Sequence, residues 1–223
     1  VICFIVLFGL LLLTVPIAVS LGISVIAALW IGELEPMLFV QKLYASFESY
    51  PTMAIPFFLM SGAIMQRGSM APALIKVSRT LVGHIPGGLV HVSILTCIFY
   101  GALCGSAVAT LAAVGGILIP AMKKEGYPAG FASAINATGG TLGVLIPPSI
   151  TLIMYGSTGG VSISDLFIAS TLPGILAGLS IMLVGGYIAW KKGYGRQTPR
   201  ASARERLIAL WEAKWALMVP VIV

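Results

Sequence analysis

The chain has 223 residues, 58% of them hydrophobic and only 9% charged, with a formal net charge of +6 and a mean hydropathy of +1.03. Soluble globular domains carry about 25% charged residues, so the composition excludes that class and predicts an all-α integral membrane protein with the lipid bilayer as its main partner. No basic stripe is interleaved with aromatics, which excludes nucleic acid, and Cys3, Cys97 and Cys104 all lie in apolar stretches without disulfide or metal spacing.

A helix crossing about 30 Å of hydrocarbon needs roughly 20 apolar residues. Residues 1–32 carry no charge and end before Glu33 and Glu35, which predicts a helix tilted and bent near Pro16, or one partly interfacial. From Met37 to Phe47 the apolar residues Met37, Val40, Leu43, Tyr44 and Phe47 share one helical face, the pattern of a helix lying on the membrane surface. The charge-free stretch from Ser49 to Gln66 is long enough to cross. Met70, Leu74, Val77 and Leu81 then line one face while Lys76 and Arg79 lie off it, predicting a second interfacial helix on the cytoplasmic side.

Residues 85–122 again carry no Asp, Glu, Lys or Arg, and both flanks, Arg79 and His84 before and Lys123 and Lys124 after, are basic. Two full spans satisfy that parity only with an external turn, and the central run GALCGSAVAT (101–110) holds no charged residue to make one. A re-entrant hairpin with its tip at this run fits better. Irregular backbone at membrane depth is tolerated only against protein or a watery cavity, so the tip is expected to face something polar. Residues 126–164 hold a second interruption, NATGGT at 136–141 and IPPS at 146–149. Pro148 disfavours helix at Pro147, and neither proline has an amide hydrogen; unwinding is expected to leave Asn136, Thr138, Thr141 and Ser149 near free backbone oxygens. Leu166 to Trp190 reads as a further span between Asp165 and the basic stretch Lys191 to Arg206. Leu207, Leu210, Trp211 and Trp215 form an amphipathic face leading into an apolar segment. The chain starts at Val1, not Met, and is read as a piece of a longer one.

Two uncharged, broken segments supply carbonyl and hydroxyl oxygens for a small cation such as sodium, and helix N-termini for an anionic substrate. A competing reading makes the glycines packing devices in a noncatalytic membrane scaffold. An intramembrane protease built on Ser106 with His84 or His91 fares worse, because even His91 lies 15 residues from Ser106, about 22 Å along a helix.

The run from Gly101 to Gly156, with AIPFFLMSGAIM at 54–65 and LPGILAGL at 172–179, closely resembles the large membrane subunit of tripartite ATP-independent periplasmic (TRAP) transporters. The resemblance implies a sodium-coupled importer of carboxylates of the C4-dicarboxylate or sugar-acid type, in the bacterial inner membrane. It implies a small membrane subunit and a periplasmic substrate-binding protein as partners, no cofactor beyond sodium as coupling ion, and no enzymatic activity. The implied fold is the first inverted repeat of an elevator-type transporter. Residues 1–84 supply scaffold-type helices with interfacial arms, 85–124 the re-entrant hairpin, 126–160 a broken transmembrane helix, 164–192 a further span, and 193–223 a cytoplasmic amphipathic linker and the start of the next span. Carried over by position, Gly105, Ser106, Ala107, Gly139, Gly140, Thr141 and Pro147 hold the cation, while Ser106, Asn136, Thr138, Pro148 and Ser149 contact substrate; Gly143 also falls in the family's broken helix. Ala107 stands where many relatives have a second serine.

Overall fold

The computed structural model describes residues 2–35, 37–48, 50–195 and 199–222. Val1, Ser49 and Arg196, each at the edge of or within a segment predicted from sequence, lie outside the described residues. The described chain is helical and divides into two compact units, residues 1–53 and 54–223.

In the first unit, α1 (Ile2–Leu12) and α2 (Ile17–Ile31) replace the single bent helix expected over 1–32, and they pack against each other. The break falls ahead of Pro16, which cannot donate into a continuing helix. Thr14 takes a left-handed φ of 59°. The Val15 amide donates to the Leu10 carbonyl and the Thr14 amide to Leu11, so the end of α1 is closed by a Schellman motif with threonine in the usual glycine place. The third helix, α3 (Met37–Phe47), matches its predicted bounds.

The second unit takes in α4 (Tyr50–Arg67) from Ala54 onward, then α5 (Met70–Val82) and α6 (Gly88–Cys104). A turn at Gly105–Ser106 leads to α7 (Ala107–Thr110), a π segment (Leu111–Gly115) and α8 (Gly116–Lys124), which together form one apolar helical arm of 18 residues. Thr110, Val114, Leu118 and Met122, at four-residue intervals along that arm, are all buried. The next stretch comprises α9 (Ala129–Gly140), α10 (Leu142–Leu145) and, after a bend of 41°, α11 (Ile150–Gly159). It is followed by the 29-residue α12 (Ile163–Lys191), then α13 (Ala203–Glu212) and α14 (Lys214–Ile222). Among the described residues two helices are long and apolar enough to cross a membrane, or three when the bent pair counts as one.

The core of this unit surrounds α6, whose Val90, Val92, Ile94, Cys97 and Tyr100 are fully buried. α12 approaches it on small residues: a Cβ on Gly178 would lie 2.8 Å from Ile98, and one on Gly185 2.9 Å from Val90. Close approach through small residues is how apolar helices gain packing without a hydrophobic driving force. At the basic end, Tyr127 and Tyr194 meet with ring centroids 6.1 Å apart, and Phe131 and Tyr194 at 5.6 Å, clamping the start of α9 to the end of α12.

One amphipathic pattern has a different partner from the membrane surface expected of it. The apolar face of α5 is covered by protein, since Leu74 and Val77 are fully buried against α6 and α13. On α13 Ala209 is buried, as is Ala213 just past its end, while Leu207, Trp211 and, at the start of α14, Trp215 remain about 70% exposed (71%, 71% and 69%). Alanine permits the close α5–α13 approach and leaves the bulky residues facing outward. Lys76–Glu212 and Arg79–Glu125 ion pairs of 2.6 and 2.8 Å flank this packing. Because the Lys76 pair is solvent-exposed, Lys76→Ala is expected to cost at most about 1 kcal/mol and less in high salt. Leu74→Ala, which empties a buried site, is expected to cost about 2–5 kcal/mol; thermal unfolding in detergent at two salt concentrations measures both.

Candidate functional site

The two predicted interruptions meet. The α6–α7 turn carries Gly105 at a φ of 60°, and its carbonyl accepts the Ile150 amide at 3.3 Å from the break between α10 and α11. A Cβ on Gly105 would stand 2.6 Å from the Pro148 carbonyl oxygen and 3.2 Å from Ser149 Cα, so only glycine combines this left-handed geometry with this approach. One turn back along the bent helix, a Cβ on Gly143 would lie 2.5 Å from Thr110 Oγ1 and 2.9 Å from the Ser106 carbonyl oxygen. The turn is therefore seated against backbone on both sides of the break.

Each segment restarts as a helix capped by serine. Ser106 Oγ accepts the Ala109 amide and Ser149 Oγ the Leu152 amide, both at 3.4 Å; the cap satisfies an amide that the helix itself leaves free. Thr110 Oγ1 donates to the Ser106 carbonyl at 2.8 Å and sits 3.3 Å from Cys104 Sγ. Ser149 Oγ also donates to the Val144 carbonyl at 2.8 Å and is fully buried. Among the described residues no backbone amide donates to the Pro147 or Pro148 carbonyl. The junction thus gathers uncharged oxygens and two helix starts without a carboxylate, and no group of three or more metal-ligating His, Cys, Asp or Glu side chains occurs among the described residues.

Not every residue named from sequence reaches this junction. NATGGT does not unwind: α9 ends at Gly140 and α10 starts at Leu142, but Thr141 between them keeps right-handed helical geometry (φ −63°, ψ −22°) and the join is closed by tighter i→i+3 bonds, Thr141 to Thr138 and Val144 to Thr141. The hydroxyls that suggested a break are absorbed by the helix itself, Thr138 Oγ1 donating to Ala134 and Thr141 Oγ1 to Thr138, at 2.8 and 2.7 Å. Asn136 lies in the core, where its amide nitrogen donates to the Ala132 carbonyl at 2.8 Å and its oxygen accepts Ser93 Oγ at 2.9 Å. Thr138 lines a separate, mainly apolar groove of about 330 Å³ with Ile135, Ser180 and Val184. Gly139 and Gly140 are contact points, Gly139 against Ile94 and Cys97 of α6 and Gly140 against Leu111 and the Ala107 carbonyl. Gly105, Ser106, Pro148 and Ser149 meet at the junction itself, with Ala107 and Pro147 next to them in the chain. Sequence reasoning had no hold on Thr110 and Cys104, which brace the turn from behind, or on Gly143 as the seat of the Ser106 carbonyl.

His91 is packed elsewhere. A Cβ on Gly186 of α12 would stand 2.5 Å from its ring, so the α6–α12 interface holds the imidazole.

A sequence profile described as "Tripartite ATP-independent periplasmic transporter, DctM component" matches residues 4–223. The chain is 44% identical over 182 residues to the C4-dicarboxylate TRAP transporter large permease protein DctM of Pseudomonas aeruginosa, covering 82% of this chain and 42% of that protein. It is 40% identical over 210 residues to the isethionate TRAP transporter permease protein DctMQ of Oleidesulfovibrio alaskensis (94% and 33%). Identity to the 2,3-diketo-L-gulonate TRAP transporter large permease protein YiaN of Escherichia coli is 37% over 194 residues (87% and 45%). The chain spans about a third to a half of the length of these relatives. Apolar helices, a profile match over nearly every residue and identities of this size give one conclusion: the chain belongs to the DctM component family of tripartite ATP-independent periplasmic transporters, and is a multi-pass membrane protein.

Proposed function

We propose that this chain is the cation-binding half of a permease that imports carboxylates across the bacterial inner membrane with sodium. The observation that carries the reading is the Gly105–Ile150 contact, which holds a helical turn and a helix break together in an apolar segment. Uncharged oxygens at such a place suit a small cation, and the restarting helices attract an anion. Gly105, Ser106 and Ala107 with Pro147, and Gly139, Gly140 and Thr141 behind them, form the cation side. Ser106, Pro148 and Ser149 form one wall of the substrate side, while Asn136 and Thr138 support the helices instead. The turn is the tip of a re-entrant hairpin, and the whole belongs to a first inverted repeat that moves elevator-fashion.

The relatives' printed names, covering C4-dicarboxylate, isethionate and 2,3-diketo-L-gulonate, support a small organic anion as substrate. A periplasmic binding protein delivers it, and a small membrane subunit completes the assembly.

Of the hydroxyls proposed for the site, Ser149 is buried while Ser106 and Thr141 are accessible. In a full-length permease carrying this chain, reconstituted in proteoliposomes with its small subunit and binding protein, uptake of a radiolabelled carboxylate is expected to require sodium. Ser106→Ala with Thr141→Ala is expected to leave assembly intact and weaken apparent sodium affinity at least about tenfold, equivalent to about 1.4 kcal/mol. Uptake indifferent to sodium and to both substitutions would instead favour the packing role, which the tight contacts at Gly101, Gly139 and Gly140 also fit.

A further inference from the structure

Away from the junction, a cavity of about 440 Å³ opens between α5 and the start of α13, lined by Lys76, Arg79, Thr80, Arg200, Ser202 and Glu205. Three cations face one carboxylate, that of Glu205, whose Oε2 accepts the Ser202 amide at 2.7 Å. Lys76 and Arg79 each give one donor to an ion pair, with Glu212 and Glu125, and an ammonium has three donors and a guanidinium five. Arg200 has no carboxylate partner among the described residues. The cavity therefore has more donors than acceptors, the imbalance that a phosphate oxyanion corrects.

What surrounds the cavity indicates where that phosphate comes from. Trp211 near the end of α13 and Trp215 at the start of α14 both face outward, and Lys214 Nζ lies 3.9 Å from the Trp211 ring centre and 5.4 Å from that of Trp215. Exposed tryptophans beside a lysine on an amphipathic helix are the side chains of the headgroup layer. Lys123 and Lys124 precede the Glu125 that Arg79 grips. We propose that the α5–α13 cavity seats the phosphate of an anionic membrane phospholipid, with Arg200 as its principal ligand and Trp211 and Trp215, either side of the α13–α14 joint, laid into the adjoining headgroup layer. The donor chemistry is that of any phosphate; the apolar flank selects the lipid.

Native mass spectrometry of the detergent-purified, full-length permease, titrated with phosphatidylglycerol or phosphatidylethanolamine, tests this. The wild type is expected to retain phosphatidylglycerol in preference to phosphatidylethanolamine, and Arg200→Ala to lower that retention about fivefold, the effect of one cation near an anionic lipid. Arg200→Lys is expected to keep most of it. Arg204→Ala, an exposed cation outside the cavity, is expected to change nothing. Arg200 lies outside any helix, so its variants should melt at the wild-type temperature. In a second arm, inorganic phosphate is added without lipid. Arg200-dependent stabilisation by phosphate, with no preference for phosphatidylglycerol, would overturn the lipid assignment in favour of a soluble phosphate. Equal retention of both lipids, or retention unaffected by Arg200→Ala, with no phosphate effect, would overturn the site.

Discussion

Gly105→Ala is expected to lower sodium-driven uptake by roughly a hundredfold while the permease still assembles. Two costs add at this position. A left-handed φ of 60° costs a side-chain-bearing residue about 1–2 kcal/mol. The new Cβ would also arrive 2.6 Å from the Pro148 carbonyl oxygen, a backbone atom that no rotamer change moves aside. Turn and break must then separate, the Gly105–Ile150 hydrogen bond is lost, and oxygens assembled from both are displaced. Misplacing a binding geometry by about 1 Å is worth about a hundredfold. Gly130→Ala is the control: it lies in α9, is exposed and has nothing within 4 Å of a new Cβ, so uptake should be unchanged. Equal rates for the two variants would mean that contact between the two breaks is incidental.

Asn136→Ala is expected to act in the opposite manner, lowering thermal stability by roughly 2–3 kcal/mol while leaving the substrate concentration for half-maximal uptake unchanged. The substitution removes the acceptor of Ser93 Oγ, a donor to Ala132 and the contact with Met122 Sδ, and opens a hole where side chains are fully buried. Asn136 ties α9 to α6 rather than to the junction. A several-fold change in half-saturating substrate with unaltered melting would return Asn136 to the binding surface.

Asn136 also shows where a sequence becomes hard to read. An asparagine among glycines and threonines looks like broken helix, because these residues are as much at home in turns as in helices. Inside an apolar unit, however, their short side chains bond to carbonyls three or four residues back and the helix continues. IPPS was a firmer signal, since proline removes a donor whatever its surroundings, and the structure bends there. GALCG turns at Gly105, the glycine that follows Cys104 at the end of α6. The pairing of Gly105 with Ile150, 45 residues apart, left no local mark. On α13 periodicity showed an amphipathic helix but not its inner face, because tightly packed alanines and exposed tryptophans yield the same hydrophobic pattern.

The π segment had no signature in the sequence, yet it keeps the helical arm after the Gly105–Ser106 turn in phase. An ideal α-helix turns about 100° per residue, so positions four apart precess by roughly 40° at each step. Thr110, Val114, Leu118 and Met122 would on that basis wind about a third of the way round the arm. A turn closed between residues five apart, at Leu111–Gly115, is underwound and cancels part of this drift. The stripe stays turned inward from the junction, where Thr110 braces Ser106, to the far end, where Met122 meets Asn136. One wider coil thus lets a strictly four-residue spacing act as a straight seam.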